Sequence, residues 1–114
     1  MDETARHRYR QRLEELRAEL DGPAAQENDA HRPVPLDQQA VGRLSRMDAL
    51  QQQAMARAAQ ERRTRMKARI DAALARLQEG EFGYCSECGE EISPARLDLD
   101  PTVPTCIACA RARG

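Results

Sequence analysis

The four cysteines of the chain fall into two Cys-x-x-Cys pairs, Cys85-Ser86-Glu87-Cys88 and Cys106-Ile107-Ala108-Cys109, with seventeen residues between them and no cysteine left over. Two thiolates on one tight turn can reach a single ion, and two such turns supply a tetrahedral zinc site. The stretch between the pairs must then fold back on itself, a closure that its few apolar residues would hardly hold without metal. Four protein ligands leave no open coordination position, so the ion expected here is one structural Zn2+ bound by Cys85, Cys88, Cys106 and Cys109. Backbone N–H groups of Ser86, Glu87, Cys88 and Gly89 are expected to donate to the sulfurs. A thiol redox switch built on the same pairs is the rival chemistry.

The 114 residues fit one domain, or a small domain beside an extended element, and hold no Trp, one Phe and two Tyr. So few aromatics argue against a thick core and a roomy buried active-site pocket. No apolar run is long enough to span a bilayer, and Met1-Asp2-Glu3-Thr4 lacks the apolar core of a signal segment. A cytoplasmic chain is expected, where a cysteine quartet binds metal more often than it forms disulfides. Charge is unevenly spread: residues 36–80 carry nine Arg and Lys against five Asp and Glu, whereas 81–114 carry three against six. The cysteine region is thus acidic and poor in aromatics for base stacking, which argues against a nucleic-acid-binding zinc module.

Residues 3–20 read as a helix, because Ala5, Tyr9, Leu13, Leu16 and Leu20 recur at steps of three and four. Gly22, Pro23, Pro33 and Pro35 make 21–36 a loop, either a solvated connector or a functional tip. Residues 37–79 read as one long helix with Asp37 near its start, roughly 65 Å from end to end. Leu44, Met47, Leu50, Ala54, Met55, Ala58 and Ala59 form an apolar side in its first half, and Met66, Ile70, Ala73, Leu74 and Leu77 one in its second. Arg62, Arg63, Arg65, Lys67 and Arg69 are a basic stretch between them, read first as a solvated face. Gly80 suits the left-handed position that ends a helix, and Gly83 and Gly89 flank the first cysteine pair. Phe82, Tyr84, Ile92, Leu97, Leu99 and Val103 are expected to build a small apolar cap over the metal. Pro94, Pro101 and Pro104 limit that region to turns and short helical pieces, with about one helical turn after Cys109.

The run Gly80-Glu81-Phe82-Gly83-Tyr84-Cys85-x-x-Cys88-Gly89-x-x-Ile92, then Arg96-Leu97, Pro101-Thr102 and Cys106-x-x-Cys109, resembles the DksA/TraR family of bacterial transcription regulators. The resemblance is close over about residues 80–109 and looser over the preceding helices. It implies a mainly α fold, an antiparallel helical hairpin or coiled coil (1–79) followed by a four-cysteine zinc finger (80–114). It further implies a chain that is not an enzyme but binds RNA polymerase through the secondary channel, in many members together with ppGpp at that interface, without sequence-specific DNA binding of its own. The Asp-x-x-Asp-x-Ala tip of the best-known members is missing, and Gly42 and Ser45 stand near the places of its two Asp. Asp29, Asp37, Gly42, Arg43, Ser45 and Arg46 are the expected polymerase-facing tip. A coiled-coil adaptor for an unrelated protein is the other reading of the same architecture. No Ser/His/Asp arrangement or phosphate-cradling glycine loop is present, and His7 and His31 read as solvated side chains.

Overall fold

The computed structural model describes residues 1–22 and 43–113. Among these residues four helices follow in order: α1 (Glu3–Asp21), α2 (Arg43–Glu79), α3 (Pro94–Leu99) and α4 (Ile107–Arg113). Asp2 starts α1, its Oδ1 accepting the Ala5 N–H at 2.8 Å, so one of the otherwise unpaired first-turn donors is satisfied. The helix runs to Asp21, one residue beyond the expected end. The remainder of the expected loop, and the expected helix start at Asp37, lie outside the described residues.

α1 and α2 lie antiparallel: Arg6 of α1 donates to the Leu77 carbonyl at 3.3 Å, whereas Arg17 pairs with Asp71 at 3.1 Å and Asp21 with Lys67. The two stripes anticipated along the helices meet here. Tyr9 and Leu13 of α1 and Ile70, Ala73 and Leu77 of α2 are buried, with Ala5, Leu16, Leu20, Met66 and Leu74 packed around them.

The apolar side expected in the first half of α2 is not a core face. Met47 and Leu50 are each 65 % exposed and Met55 is 63 % exposed, while Ala49 is the buried residue of that half. The reason is length: α1 ends beside Lys67, so the earlier turns of α2 have no α1 residue to pack against. Met47 and Met55 also project to other sides of the helix than Ala49 at 100° per residue.

α2 stops at Gly80 through a paired closure. The Gly80 N–H donates to the Leu77 carbonyl at 3.4 Å and the Glu81 N–H to the Arg76 carbonyl at 2.8 Å, with Gly80 at φ 78°. This six-to-one and five-to-two bonding satisfies carbonyls that the helix end would otherwise leave bare, and it requires the left-handed backbone that glycine adopts freely. The chain then turns back, and Phe82 packs on Tyr9 with ring centroids 5.2 Å apart. Phe82, Ile92, Leu97 and Val103 are buried against the helical pair, forming one core with it. Leu99, expected in that cap, is 84 % exposed, and Tyr84 is also exposed. Leu99 lies at the end of α3 on the side turned away from Leu97, which is buried.

Candidate metal centre

The first cysteine pair sits on a short hairpin. The only bridge among the described residues joins Tyr84 to Glu91, and the Cys85 N–H donates to the Glu90 carbonyl at 2.7 Å. Between them the chain makes a tight turn in which the Gly89 N–H returns to the Cys85 carbonyl at 3.0 Å, with Gly89 at φ 77°. The second pair opens α4, Cys106 preceding it and Cys109 lying in its first turn. One bond brings the second turn alongside the first, the Ser86 N–H donating to the Pro104 carbonyl at 2.9 Å, and Arg96 Nε of α3 steadies the approach to Cys106 by donating to the Thr105 carbonyl at 3.1 Å. α4 begins between the two cysteines, and the part of it after Cys109 is about the single turn expected there.

The result is a set of four free thiols whose sulfurs all lie within 4.8 Å of one another, with Cys88 Sγ and Cys106 Sγ 3.7 Å apart. A tetrahedral zinc–thiolate site with bonds of about 2.3 Å has sulfurs about 3.8 Å apart, so the arrangement fits that ion closely. Cys85 is buried and Cys88 exposed.

The acidities of the thiols are spread widely. The Cys88 N–H stabilises the Cys85 thiolate and, outweighing burial with help from the Cys106 N–H and the Cys88 and Cys109 thiols, holds Cys85 down at about 6. The Glu90 N–H favours a Cys88 thiolate, but Cys85, burial and Cys106 together push Cys88 up. Cys109 is pushed up to about 12, chiefly by Cys106 and then by Cys85 and Cys88. One thiol ionises readily and the last strongly resists, because like charges at these distances disfavour each other. A divalent cation at the centre removes that resistance, which is the chemistry the bound ion supplies. The expected N–H donors are partly reassigned: Ser86 and Gly89 donate to carbonyls, and the Cys109 N–H reaches Cys106 Sγ at 3.5 Å.

The finger is tied to both helices by charge and hydrogen bonding. Tyr9 Oη donates to Asp98 Oδ1 at 2.6 Å, and Arg12 donates to the Asp98 carbonyl and, at 3.4 Å, to that of Leu99. From α2, Arg69 pairs with Asp100 at 3.2 Å. The same Asp100 carboxylate accepts the Thr102 N–H at 3.0 Å and its hydroxyl at 2.6 Å, closing the turn before the buried Thr102. These anchors were missed in the sequence, where aspartates in the last turn and at the end of a six-residue helix carry no periodic signal.

Of the expected tip residues, Asp29, Asp37 and Gly42 lie outside the described residues. Arg43 is the first residue of α2, and Ser45 and Arg46 are exposed in its first turn, at the opposite end of that helix from the cysteines.

Residues 80–113 match the prokaryotic dksA/traR C4-type zinc finger. The DnaK suppressor protein of Agrobacterium tumefaciens, a solution structure, is 31 % identical, with a TM-score of 0.54 over 93 % of this chain and 91 % of that one. The chain belongs to the DksA/TraR family. A second member of that family, transcription factor DksA2 of Pseudomonas aeruginosa, superposes with a TM-score of 0.79 at 29 % identity, covering 98 % of this chain and 84 % of its own. The RNA polymerase-binding transcription factor DksA of Haemophilus influenzae is 43 % identical over 49 residues, 43 % of this chain and 34 % of that protein. Its Escherichia coli K12 counterpart is 37 % identical over 49 residues. The matched part of the chain thus spans about a third of the length of these curated DksA relatives. The DksA/TraR finger is of the C4 type, and the cofactor is one structural zinc ion. Among the described residues, no helix is long and apolar enough to cross a membrane.

Proposed function

We propose that the chain is a non-enzymatic, cytoplasmic transcription regulator that binds RNA polymerase, with a helical hairpin over 1–79 carried on a zinc finger over 80–114. The observation that carries this reading is the superposition on DksA2 over 98 % of the chain, combined with curated relatives named as RNA polymerase-binding factors. Cys85, Cys88, Cys106 and Cys109 hold the zinc ion and so fix the finger on the helical pair. The end of α2 far from the metal enters the secondary channel of the polymerase, and Asp29, Asp37, Gly42, Arg43, Ser45 and Arg46 face its catalytic centre. ppGpp acts at the polymerase interface, and the chain reads no DNA sequence itself.

Immobilised zinc-loaded protein incubated with core RNA polymerase tests the binding directly. Retention at low salt is expected; no retention would count decisively against the reading. Transcription in vitro from a ribosomal promoter, with and without ppGpp, then reads the effect. Should Asp29→Asn and Asp37→Asn leave transcription unaltered while a Cys106→Ser chain loses all effect, the proposed tip is a passive turn.

A further inference from the structure

α4 contains no buried residue. Its Ile107 is exposed, and its apolar contact with the core is made by the partly buried Cys109. It is attached by the two cysteines at its start and, beyond Cys109, by an ion pair between Arg113 and Glu87. Glu87 lies inside the other cysteine turn, between Cys85 and Cys88. The pair therefore spans from one cysteine turn to the other. The backbone bond from the first turn, Ser86 to Pro104, and the bond from Arg96 of α3 to Thr105 both act upstream of Cys106.

The two halves of the site are held unequally. Cys85 and Cys88 are framed by a hairpin with its own backbone bonds, at Cys85 to Glu90 and Ile92 to Gly83, both 2.7 Å. Cys109 sits in the short α4, partly buried against the core, with no hairpin of its own around it. Four thiolates around a divalent ion also leave the centre dianionic. Glu87 adds a negative charge beside it, and Arg113 neutralises that charge.

We propose that Glu87 and Arg113 are positioning residues for the metal: their ion pair clasps α4 to the first cysteine turn and slows the opening that releases zinc. This rests on the assignment of the four cysteines as ligands. Metal affinity depends on such outer groups because they orient the ligand turns. An ion pair between exposed side chains contributes modestly, so the expected effect is a rate change of about two- to fivefold and not loss of the site.

The test is transfer of zinc from the intact protein to an excess of a chromophoric chelator, following the first-order rate. The chains compared are the wild type, Glu87→Gln, Arg113→Gln, the double variant, and the charge-reversed pair Glu87→Arg with Arg113→Glu. Each single variant is expected to release zinc about two- to fivefold faster, the double variant no faster than the quicker single, and the reversed pair to return toward the wild-type rate. Raised salt should speed the wild type and leave the variants nearly unchanged. Single variants that release zinc at the wild-type rate, or effects that simply multiply in the double variant, would overturn the clasp. A single variant purified without zinc would likewise overturn it, since loss of a modest clasp speeds release without emptying the site. Wild-type protein lacking zinc when purified under reducing conditions would instead sink the ligand assignment itself.

Discussion

Asp100 takes two bonds from Thr102 and an ion pair from Arg69, and these set its titration. Burial pushes its carboxyl up, but the Thr102 hydroxyl and N–H, with Arg69 and Arg12, outweigh it and hold the group below the usual carboxylate range. A carboxylate with a depressed folded pKa stabilises the fold above its unfolded value, about 3.9, and loses that contribution as pH falls through the folded value. The stability difference between wild type and Asp100→Asn, from urea titrations at a series of pH values, is therefore expected to be constant near neutrality and to shrink below about pH 4. Tyr9 carries a complementary expectation. Tyr9→Phe keeps the ring on Phe82 but removes the donor to Asp98, at a cost of about 1 kcal/mol in chemical denaturation. Arg76 points the other way. Its Nη2 is buried with no partner among the described residues, and burial lowers its pKa. Arg76→Met is expected to leave stability unchanged or raise it by about 1 kcal/mol, in the same assay. None of these three roles was legible in the sequence. Asp98, Asp100 and Arg76 look there like ordinary surface charges, because Tyr9 and Arg69 are remote in the chain and Arg76 Nη2 has no partner among the described residues.

At the scale of elements, the informative parts are those whose local chemistry and long-range packing agree. The α1 stripe from Ala5 to Leu20 and the α2 stripe from Met66 to Leu77 were readable from periodicity, since each faces the other throughout. The Met47–Met55 stretch misled because periodicity reports an apolar side without reporting whether anything covers it. The cysteine spacing fixed the metal site and Gly80 the end of α2, since ligand geometry and left-handed backbone are local requirements. The turn after Cys109 is as expected, but the start of α4 at Ile107 was not legible, because a helix can begin inside a Cys-x-x-Cys pair. Gly80→Ala meets no atom within 4 Å, so only the backbone at φ 78° penalises it. A loss of about 1 kcal/mol is expected, with Gly80→Asn less costly, both read from thermal melts of zinc-loaded protein.

For the molecule as a whole, the finger and the helical pair share one core, so metal and helices are thermodynamically linked. Leu13 is fully buried at the centre of that core. Leu13→Ala is expected to cost about 3 kcal/mol and to weaken zinc retention as well, measured by denaturation and by chelator transfer on the same sample. An effect on stability alone, with zinc transfer unchanged, would show two independent halves.

The ties from the finger to α1 through Asp98 and to α2 through Asp100 sit at one end of a body 64 Å long. From Lys67, where α1 ends, α2 runs on to Arg43 over a further 36 Å or about that, by the rise of the helix. Mechanically it is a boom mounted on a bracket. Each degree of tilt at the bracket carries the far end sideways by about 0.6 Å, so a change at Asp98 or Asp100 re-aims residues it never touches. Substitutions at the base are therefore expected to shift where the far end points without changing any residue there.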